Sequence, residues 1–340
     1  MNGFLAAQSL AANIVFGLSA LVILVLSANL AVKKLIGLAD HFHLSTTFMG
    51  VTVVSLATSI PEITAHLVAS VGILRGTMDR QIGSAIVLGT NIGSDVVQQT
   101  LILGLVVFMT GVLSFRRYFL WKSMVPMIGT TIMCLVLGWD RSYSRLDGLI
   151  LFGTFIGYMY YLYVDERKHY KREDNVQEEV DAPKNGRQVM WWTVISLAAM
   201  GFTVLGAQIA LNVTELIVVR TGISGSLIGV VLLGVASALP ELTTAVSGVR
   251  HNAHGISLGT LVGSNITNPL VGIGGGALVS GYWVPRSLVH WDLPWEAVTG
   301  LILWGLLWVT RGKLGKWGAF YLTILYFVYI VLRVVFFAAD

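Results

Sequence analysis

The 340-residue sequence has few charged residues, and this shortage restricts its fold class before any motif is considered. Asp, Glu, Lys and Arg make up 12% of the chain and hydrophobic types 55%, whereas soluble domains carry about 25% charged residues. There is too little polar surface to cover a water-soluble globule of this length, which excludes a cytosolic enzyme and a nucleic-acid-binding protein. The single cysteine, Cys134, cannot form an intrachain disulfide.

Long apolar segments take the place of the missing charge. A helix needs about 20 residues to cross the hydrocarbon core of a bilayer, and ten segments reach or approach this length. They lie at residues 10–32, 47–74, 82–112, 118–138, 146–164, 190–218, 225–249, 255–281, 294–310 and 317–338. We therefore predict an all-α, polytopic membrane protein with ten transmembrane helices.

One strongly charged stretch divides these segments into two sets of five. Its composition predicts a solvated linker, which we place at residues 165–189, between a first five-helix unit at 1–164 and a second at 190–340. A less favoured interpretation is a regulatory ion site in the acidic part of the linker, formed by Glu178, Glu179 and Asp181.

The distribution of positive charge predicts the orientation. Fifteen lysines and arginines fall on the side that holds the linker, and seven on the other. By the positive-inside rule the linker is cytoplasmic and both termini are extracytoplasmic. We expect a multi-pass protein of the plasma membrane. The net charge of +4 follows from this orientation and does not require a nucleic-acid partner.

The two halves of the chain resemble each other at fixed offsets. Residues 27–62 align with 206–241 at an offset of 179, and residues 88–104 align with 258–274 at an offset of 170. Because each half has five predicted spans, an odd number, the second half enters the membrane from the opposite face. The sequence therefore predicts inverted repeats, which in many transporters enclose a substrate site near the bilayer midplane.

Two acidic residues lie in the middle of predicted spans. Placing a carboxylate such as Glu62 or Glu241 there costs about 2.5–3.5 kcal/mol on insertion scales. The spans that hold these acids, and the spans that follow them, contain no lysine or arginine. The simplest missing counter-charge is a mobile cation or a proton; the alternative is a pair of permanently protonated acids bonded to their neighbours.

A proline precedes each acid, at Pro61 and Pro240. Proline inside a helix lacks an N–H group and frees the carbonyl four residues earlier, here that of Ala57 or Ala236. A carbonyl beside a carboxylate is a hard-oxygen pair that suits Ca²⁺ or Na⁺, although a simple kink is the alternative explanation. Hydroxyl and amide side chains add further oxygens nearby: Thr58, Ser59, Thr90, Asn91, Ser94, Gln98, Gln99, Ser237, Thr260, Ser264, Asn265 and Asn268.

For any one of these polar residues, ordinary hydrogen bonding between helices is an equally good explanation. Their paired placement favours an ion site for the set. The motifs ATSIPE with GSDVVQ, and ASALPE with GSNITN, resemble the two alpha-repeats of sodium/calcium exchangers in the cation/calcium antiporter superfamily. The resemblance places the alpha-repeats at about 47–112 and 225–281.

This resemblance implies exchange of Ca²⁺ against Na⁺, or against H⁺ in the cation/proton branch, by movement of two helices past an eight-helix core. It implies no resident cofactor, because the ions are transported. The implied ligands are Thr58, Ser59, Glu62, Ser94, Gln98, Ser237, Glu241, Ser264 and Asn268, with backbone carbonyls near Ser55 and Gly234.

The sequence departs from the family pattern at several positions. Sodium/calcium exchangers usually have Asn or Asp where Gln98 and Asn268 stand, with at least one acid, and Ser or Thr where Ala238 stands. Asp95, where the family usually has Asn, would restore a third negative charge, and we include it among the candidate ligands. Two carboxylates balance one Ca²⁺ or two monovalent ions, so the coupling ion and stoichiometry stay open.

The leading hypothesis is thus an antiporter that exchanges Ca²⁺ for Na⁺ at one central site. The alternatives are a Ca²⁺/H⁺ exchanger with the same site and, less favoured, a cation channel. An enzyme is disfavoured because the chain has neither an HExxH nor a GxSxG motif. The expected partners are inorganic cations and the lipid bilayer, and a monomer is one state that this architecture allows. For His66, one turn after Glu62, a helix-packing role is favoured over a proton-coupled one.

Overall fold

The computed structural model describes residues 8–40, 50–115, 117–169, 183, 185–250 and 254–340, and most of them are helical. The helices are α1 (Leu10–Asp40), α2 (Gly50–Val54, Ser55–Thr58 and Ile60–Leu74), α3 (Arg80–Val97, Gln98–Ile102 and Leu103–Thr110), α4 (Arg117–Phe119, Leu120–Met124 and Val125–Leu137), α5 (Arg145–His169), α6 (Gly186–Thr221), α7 (Gly225–Ile228, Gly229–Leu233, Gly234–Ser237 and Leu239–Arg250), α8 (His254–Thr267, Asn268–Ile273 and Gly274–Ser280), α9 (Leu288–Asp292 and Leu293–Val309) and α10 (Lys316–Phe336). The short strands are β1 (Val112–Ser114), β2 (Ser142–Tyr143), β3 (Tyr282–Trp283) and β4 (Lys313–Gly315).

Six helical stretches in the described residues are long and apolar enough to cross a membrane: Leu10–Ala31, Arg80–Thr110, Leu120–Leu137, Gly186–Thr221, Gly225–Val246 and Lys316–Phe336. Ile60–Leu74 is apolar but shorter. Several large apolar side chains on α9 and α10, such as Val309 and Trp317, are exposed, as expected for surfaces that meet lipid. The all-α membrane architecture agrees with the sequence, whereas ten crossings in two inverted repeats remain a prediction.

Helices extend into both ends of the predicted linker at 165–189. α5 continues to His169 and α6 begins at Gly186. The side chain of Asn185 accepts a hydrogen bond from the Gln188 N–H at 2.9 Å, and such a cap satisfies a donor that a helix N-terminus otherwise leaves free. The acidic residues Glu178, Glu179 and Asp181 lie outside the described residues.

Irregular turns occur at matching places in the two halves. The π-helical turns are Gly50–Val54 with Gly229–Leu233, Gln98–Ile102 with Asn268–Ile273, and Leu120–Met124 with Leu288–Asp292. α2 and α7 are each interrupted for one residue, at Ser59 and at Ala238, which precede the two prolines by two positions. The repetition of these turns supports the similarity of the two halves. Because π-turns frequently mark functional sites, the turns also indicate that a functional site lies near the centre of the molecule.

The strands join one half of the chain to the other. β1 pairs antiparallel with β4, and β2 pairs antiparallel with β3. β1 and β3 follow α3 and α8, whereas β2 and β4 precede α5 and α10, so the two pairs have equivalent positions. Arg141 and Arg311, just before β2 and β4, are the non-glycine residues with positive φ in the described chain, at 66° and 56°.

Small residues allow the central helices to approach closely. A Cβ atom on Gly234 of α7 would lie 2.7 Å from the backbone nitrogen of Ser94 in α3. A Cβ atom on Gly263 of α8 would lie 2.7 Å from the Cβ of Ser55 in α2. These contacts require glycine, as in close helix packing within membranes. They bring α2, α3, α7 and α8 together around one polar centre.

Candidate cation site

Glu62 lies in the first turn of Ile60–Leu74, directly after the interruption of α2 at Ser59. Pro61 has no N–H group, so the helix cannot continue its regular hydrogen bonds through this point. The Glu62 side chain is 1% exposed. Its Oε1 accepts a hydrogen bond from Ser94 Oγ at 2.8 Å, whereas its Oε2 has no hydrogen-bond partner.

Glu241 occupies the equivalent place in α7, after the interruption at Ala238. It is fully buried, and its Oε1 accepts a hydrogen bond from Ser264 Oγ at 3.3 Å. Its Oε2 also has no partner. Ser94 in α3 and Ser264 in α8 hold equivalent positions, so each half of the chain supplies one acid and one serine donor.

Hydroxyl groups of each half also reach the acid of the other half. Thr58 Oγ1 lies 3.2 Å from Ser264 Oγ and faces Glu241, whereas Ser237 faces Glu62. The two carboxylates therefore belong to one cluster between four helices. Among the described residues neither acid has a lysine or arginine partner; the ion pair that the described chain does contain joins Arg333 to Asp292 at 3.0 Å.

Several buried oxygens in this cluster have no hydrogen-bond partner: Ser59 Oγ, Glu62 Oε2, Glu241 Oε2 and Asn268 Oδ1. A buried polar atom without a partner is destabilising. Carboxylate, hydroxyl and amide oxygens are the ligands of hard cations such as Ca²⁺, so a bound cation would supply the interactions that these atoms lack. The described residues contain no group of three or more His, Cys, Asp or Glu side chains placed to hold a metal ion. A cation site here would therefore combine the acids with neutral oxygens.

The family model described as "Sodium/calcium exchanger protein" matches residues 12–164 and 191–335. The chain belongs to the sodium/calcium exchanger family. This confirms the resemblance drawn from the repeated motifs. The family consists of membrane exchangers, in agreement with the expectation of an ion transporter rather than an enzyme.

Two relatives and one solved structure illustrate these similarities. The sodium/calcium exchanger MaX1 of Methanosarcina acetivorans is 25% identical over 361 aligned positions, which cover 94% of this chain and 97% of MaX1. The inner membrane protein YrbG of Escherichia coli is 26% identical over 263 positions, 76% of this chain and 78% of YrbG. The sodium-calcium exchanger NCX_Mj, soaked with Na⁺ and Ca²⁺, superimposes with a TM-score of 0.64 at 22% identity, covering 94% and 97% of the two chains; at this identity the match shows the fold alone.

The backbone carbonyls expected near Ser55 and Gly234 already accept hydrogen bonds within their own helices. The Ser55 carbonyl accepts from the Ser59 N–H at 3.0 Å and from Thr58 Oγ1 at 3.2 Å. The Gly234 carbonyl accepts from the Ala238 N–H and from Ser237 Oγ, both at 3.2 Å. A cation at these carbonyls would therefore share them with donors from the exchanger's own chain.

His66 is bonded through both ring nitrogens. Asn91 Nδ2 lies 3.2 Å from its Nε2, and the Tyr282 hydroxyl lies 3.1 Å from its Nδ1. The same Asn91 nitrogen donates to the backbone carbonyl of Asn268 at 2.9 Å. Because an amide nitrogen only donates, His66 Nε2 acts as an acceptor, which requires the neutral ring. The geometry favours the packing role over the proton-coupled one.

Glu296 is a buried acid that the sequence reasoning missed. It is 2% exposed, and it accepts a hydrogen bond from Thr131 Oγ1 at 2.6 Å. The comparison of the two halves did not reveal it, because the equivalent position of α4 holds Ile128 rather than an acid. Its position within the predicted span 294–310, near the start of the span rather than in its middle, was the signal available in the sequence.

Proposed function

We propose that this exchanger carries Ca²⁺ in exchange for Na⁺ by alternating access at one central site. The observation that supports the proposal is the pair Glu62 and Glu241, both buried, each with one unpaired oxygen and neither with a basic partner among the described residues. Buried carboxylates in a membrane are costly unless neutralised. A cation taken from the water on either face would neutralise them in turn.

The proposed site uses the oxygens that surround these two acids. Its direct ligands come from Thr58, Ser59, Glu62, Ser94, Ser237, Glu241, Ser264 and Asn268, while Asp95 and Gln98 complete it from α3. Binding neutralises the two carboxylates, and only the neutralised site crosses the apolar barrier cheaply. An empty site with two negative charges does not reorient easily, and this restriction couples the movement of one ion to that of the other.

The proposal includes the architecture in the membrane. Ten transmembrane helices form two inverted five-helix repeats at residues 1–164 and 190–340, with the linker in the cytoplasm and both termini outside the plasma membrane. Cysteine labelling tests this orientation, because the native Cys134 is fully buried. We expect Lys313→Cys to react only from the cytoplasmic side and Arg145→Cys only from outside. The reverse pattern would contradict the orientation.

A second candidate function is Ca²⁺/H⁺ exchange at the same site. It is favoured by the neutral amides Gln98 and Asn268, which replace the additional acid usual in sodium/calcium exchangers. Two carboxylates balance one Ca²⁺ or two protons, whereas three sodium ions would leave excess positive charge. The choice between Na⁺ and H⁺ is therefore the central experimental question for this chain.

Uptake of ⁴⁵Ca into proteoliposomes distinguishes these functions. An outward Na⁺ gradient is expected to drive uptake, and an outward H⁺ gradient at equal Na⁺ on both sides is expected to drive little. If only the proton gradient drives uptake, the chain is a Ca²⁺/H⁺ exchanger. If Ca²⁺ enters without any counter-ion gradient and saturates poorly, it is a channel, and the antiport proposal is wrong.

A further inference from the structure

A chain of hydrogen bonds fixes the orientation of Gln98. The carbonyl of Leu261 can only accept, so the Asn265 atom 2.8 Å from it is the amide nitrogen. The same nitrogen donates to Gln98 Oε1 at 3.0 Å. Gln98 therefore turns its oxygen toward α8, and its Nε2 donates to Ser94 Oγ at 3.0 Å. Ser94 then uses its proton to bond Glu62.

The equivalent amide in the second half has the opposite orientation. Asp95 presents a carboxyl oxygen, and Asn268 Nδ2 donates to it at 2.7 Å. This leaves Asn268 Oδ1 buried and without a hydrogen-bond partner. In the alignment of the two halves, Asp95 corresponds to Asn265 and Gln98 corresponds to Asn268. The two contacts thus occupy matching places, but the acid at position 95 reverses the direction of donation.

The geometry assigns Asp95 as a positioning residue that turns the oxygen of Asn268 into the cation site, while Gln98 orients Ser94 and does not bind the cation. This assignment rests on the proposed function and specifies which of the two amides is a ligand. Donation of an N–H to a carboxyl group also polarises the amide, so that its oxygen becomes a stronger ligand. Groups that orient metal ligands in this way typically change affinity about 10- to 100-fold when they are removed.

An exchange of the two side chains tests the assignment. Asp95→Ala removes the acceptor, and we expect it to lower Ca²⁺ affinity about 10- to 100-fold. Asn268→Asp places two carboxyl groups in contact and is expected to lower affinity by a similar factor. The double variant Asp95→Asn/Asn268→Asp restores an amide–carboxyl hydrogen bond with a carboxylate oxygen facing the site. We expect its affinity to return at least to within about threefold of the unmodified chain, a difference of ~0.7 kcal/mol.

Affinity is measured on the full chain in two ways: as the Ca²⁺-dependent rise in unfolding temperature in detergent, and as the Ca²⁺ concentration for half-maximal uptake in proteoliposomes. Asn265→Ala is the matched control at the equivalent position of α8. It releases Gln98 but disturbs no proposed ligand oxygen directly, so its effect should be smaller than that of Asp95→Ala. Equal effects of these two variants would contradict the assignment.

The assignment is wrong if Asp95→Ala binds Ca²⁺ as tightly as the unmodified chain, or if the double variant is as weak as Asn268→Asp. If the unmodified chain takes up Ca²⁺ but the double variant Asp95→Asn/Asn268→Asp does not recover affinity, only this inference is lost. If the unmodified chain takes up no Ca²⁺, the proposed function is lost, and the same variants are compared with Na⁺ as the probe and without any cation. Recovery of the unfolding temperature in the double variant then supports the contact, and additive losses overturn it.

Discussion

The two acids of the central site have the same backbone setting but different hydrogen-bond support. Glu62 ends a series of four hydrogen bonds that all donate in one direction, from Gln99 through Asn265, Gln98 and Ser94. Aligned hydrogen bonds strengthen one another, and the last bond, to the carboxylate, has the normal O–H···O length of 2.8 Å. The α2 side of the site is therefore well arranged to stabilise a negative charge.

Glu241 has weaker support. Its serine donor lies at 3.3 Å, and Asn268 does not reinforce that serine, because its amide nitrogen is directed to Asp95. In return, the α7 side offers a neutral amide oxygen that the α2 side lacks. The two halves therefore hold their acids in the same helix geometry, whereas a few polar differences give Glu62 the stronger hydrogen bonds and leave Glu241 beside an amide oxygen without a partner.

Removal of the negative charge of Glu62 or of Glu241 should lower Ca²⁺ uptake more than any other change. The two variants should lose uptake equally, although the two acids differ in their hydrogen bonds. Glu62→Gln and Glu241→Gln each take away half of the charge that balances Ca²⁺, so we expect ⁴⁵Ca uptake to fall more than about 100-fold, ~2.7 kcal/mol, while the protein still inserts. Glu296→Gln is the matched control, because it makes the same change at an equally buried acid of α9. It should lower uptake less than about tenfold, and near-normal uptake in either of the first two variants contradicts the central site.

Serine substitutions test the asymmetry directly. Ser94→Ala removes a 2.8 Å bond to Glu62 and ends the donor series, whereas Ser264→Ala removes a 3.3 Å bond to Glu241. Hydrogen bonds to charged groups contribute about 1.5–3 kcal/mol, and long ones less. We expect Ca²⁺ affinity, measured by half-maximal uptake, to fall about tenfold or more for Ser94→Ala and about threefold for Ser264→Ala. Equal losses would show that the two sides are energetically alike.

A third comparison concerns packing rather than charge. Gly234 in α7 corresponds to Ser55 in α2, so Gly234→Ala and Ser55→Ala create the same residue at both places. The added Cβ at Gly234 would lie 2.7 Å from the Ser94 backbone nitrogen, and overpacking of this kind costs about 1–3 kcal/mol. Ser55→Ala removes a hydroxyl that bonds within α2 at 2.6 Å and makes only a long contact, 3.4 Å, with Thr267 Oγ1 of α8. The unfolding temperature should fall clearly for Gly234→Ala and little for Ser55→Ala; the opposite order contradicts the described helix contact.

Substitution of His66 should change transport least, because both ring nitrogens are bonded to Asn91 and Tyr282 and the equivalent position of the second half is Ala245. We expect His66→Gln to change the rate of Ca²⁺ uptake less than about twofold and to leave its dependence on pH unchanged between pH 6 and 8, the range in which a free histidine titrates. Uptake measured across this range checks the expectation. A displaced pH profile would restore the proton-coupled role.

The sequence was sufficient to find the acids and their serine donors, because proline–glutamate pairs and Gly-Ser pairs recur at fixed offsets in apolar segments. It could not give the orientation of the amides. Asp95 points about 100° from Ser94 around its helix, and its contact with Asn268 depends on how closely α8 approaches α3, which no local pattern records. Glu296 was missed because its partner, Thr131, lies on a different helix and the equivalent position of the first half is Ile128, which is not acidic.

The sequence patterns also could not predict the residues at which the helices begin and end. Hydropathy locates the stretch that lipid can surround, but a helix continues into water wherever its backbone donors are satisfied, as at Asn185. For this reason α6 begins before the predicted span, and α5 continues past the end of its own.

The antiparallel pairing of β1 with β4 has a consequence for biosynthesis. β1 leaves the ribosome early, but its partner strand lies near the other end of the chain. Until β4 has been made, the edge of β1 has no strand to pair with, and the surface of α3 that contacts α10 has no helix to pack against. A nascent chain arrested between these two strands would leave that edge unpaired and would be a ready substrate for quality-control proteases.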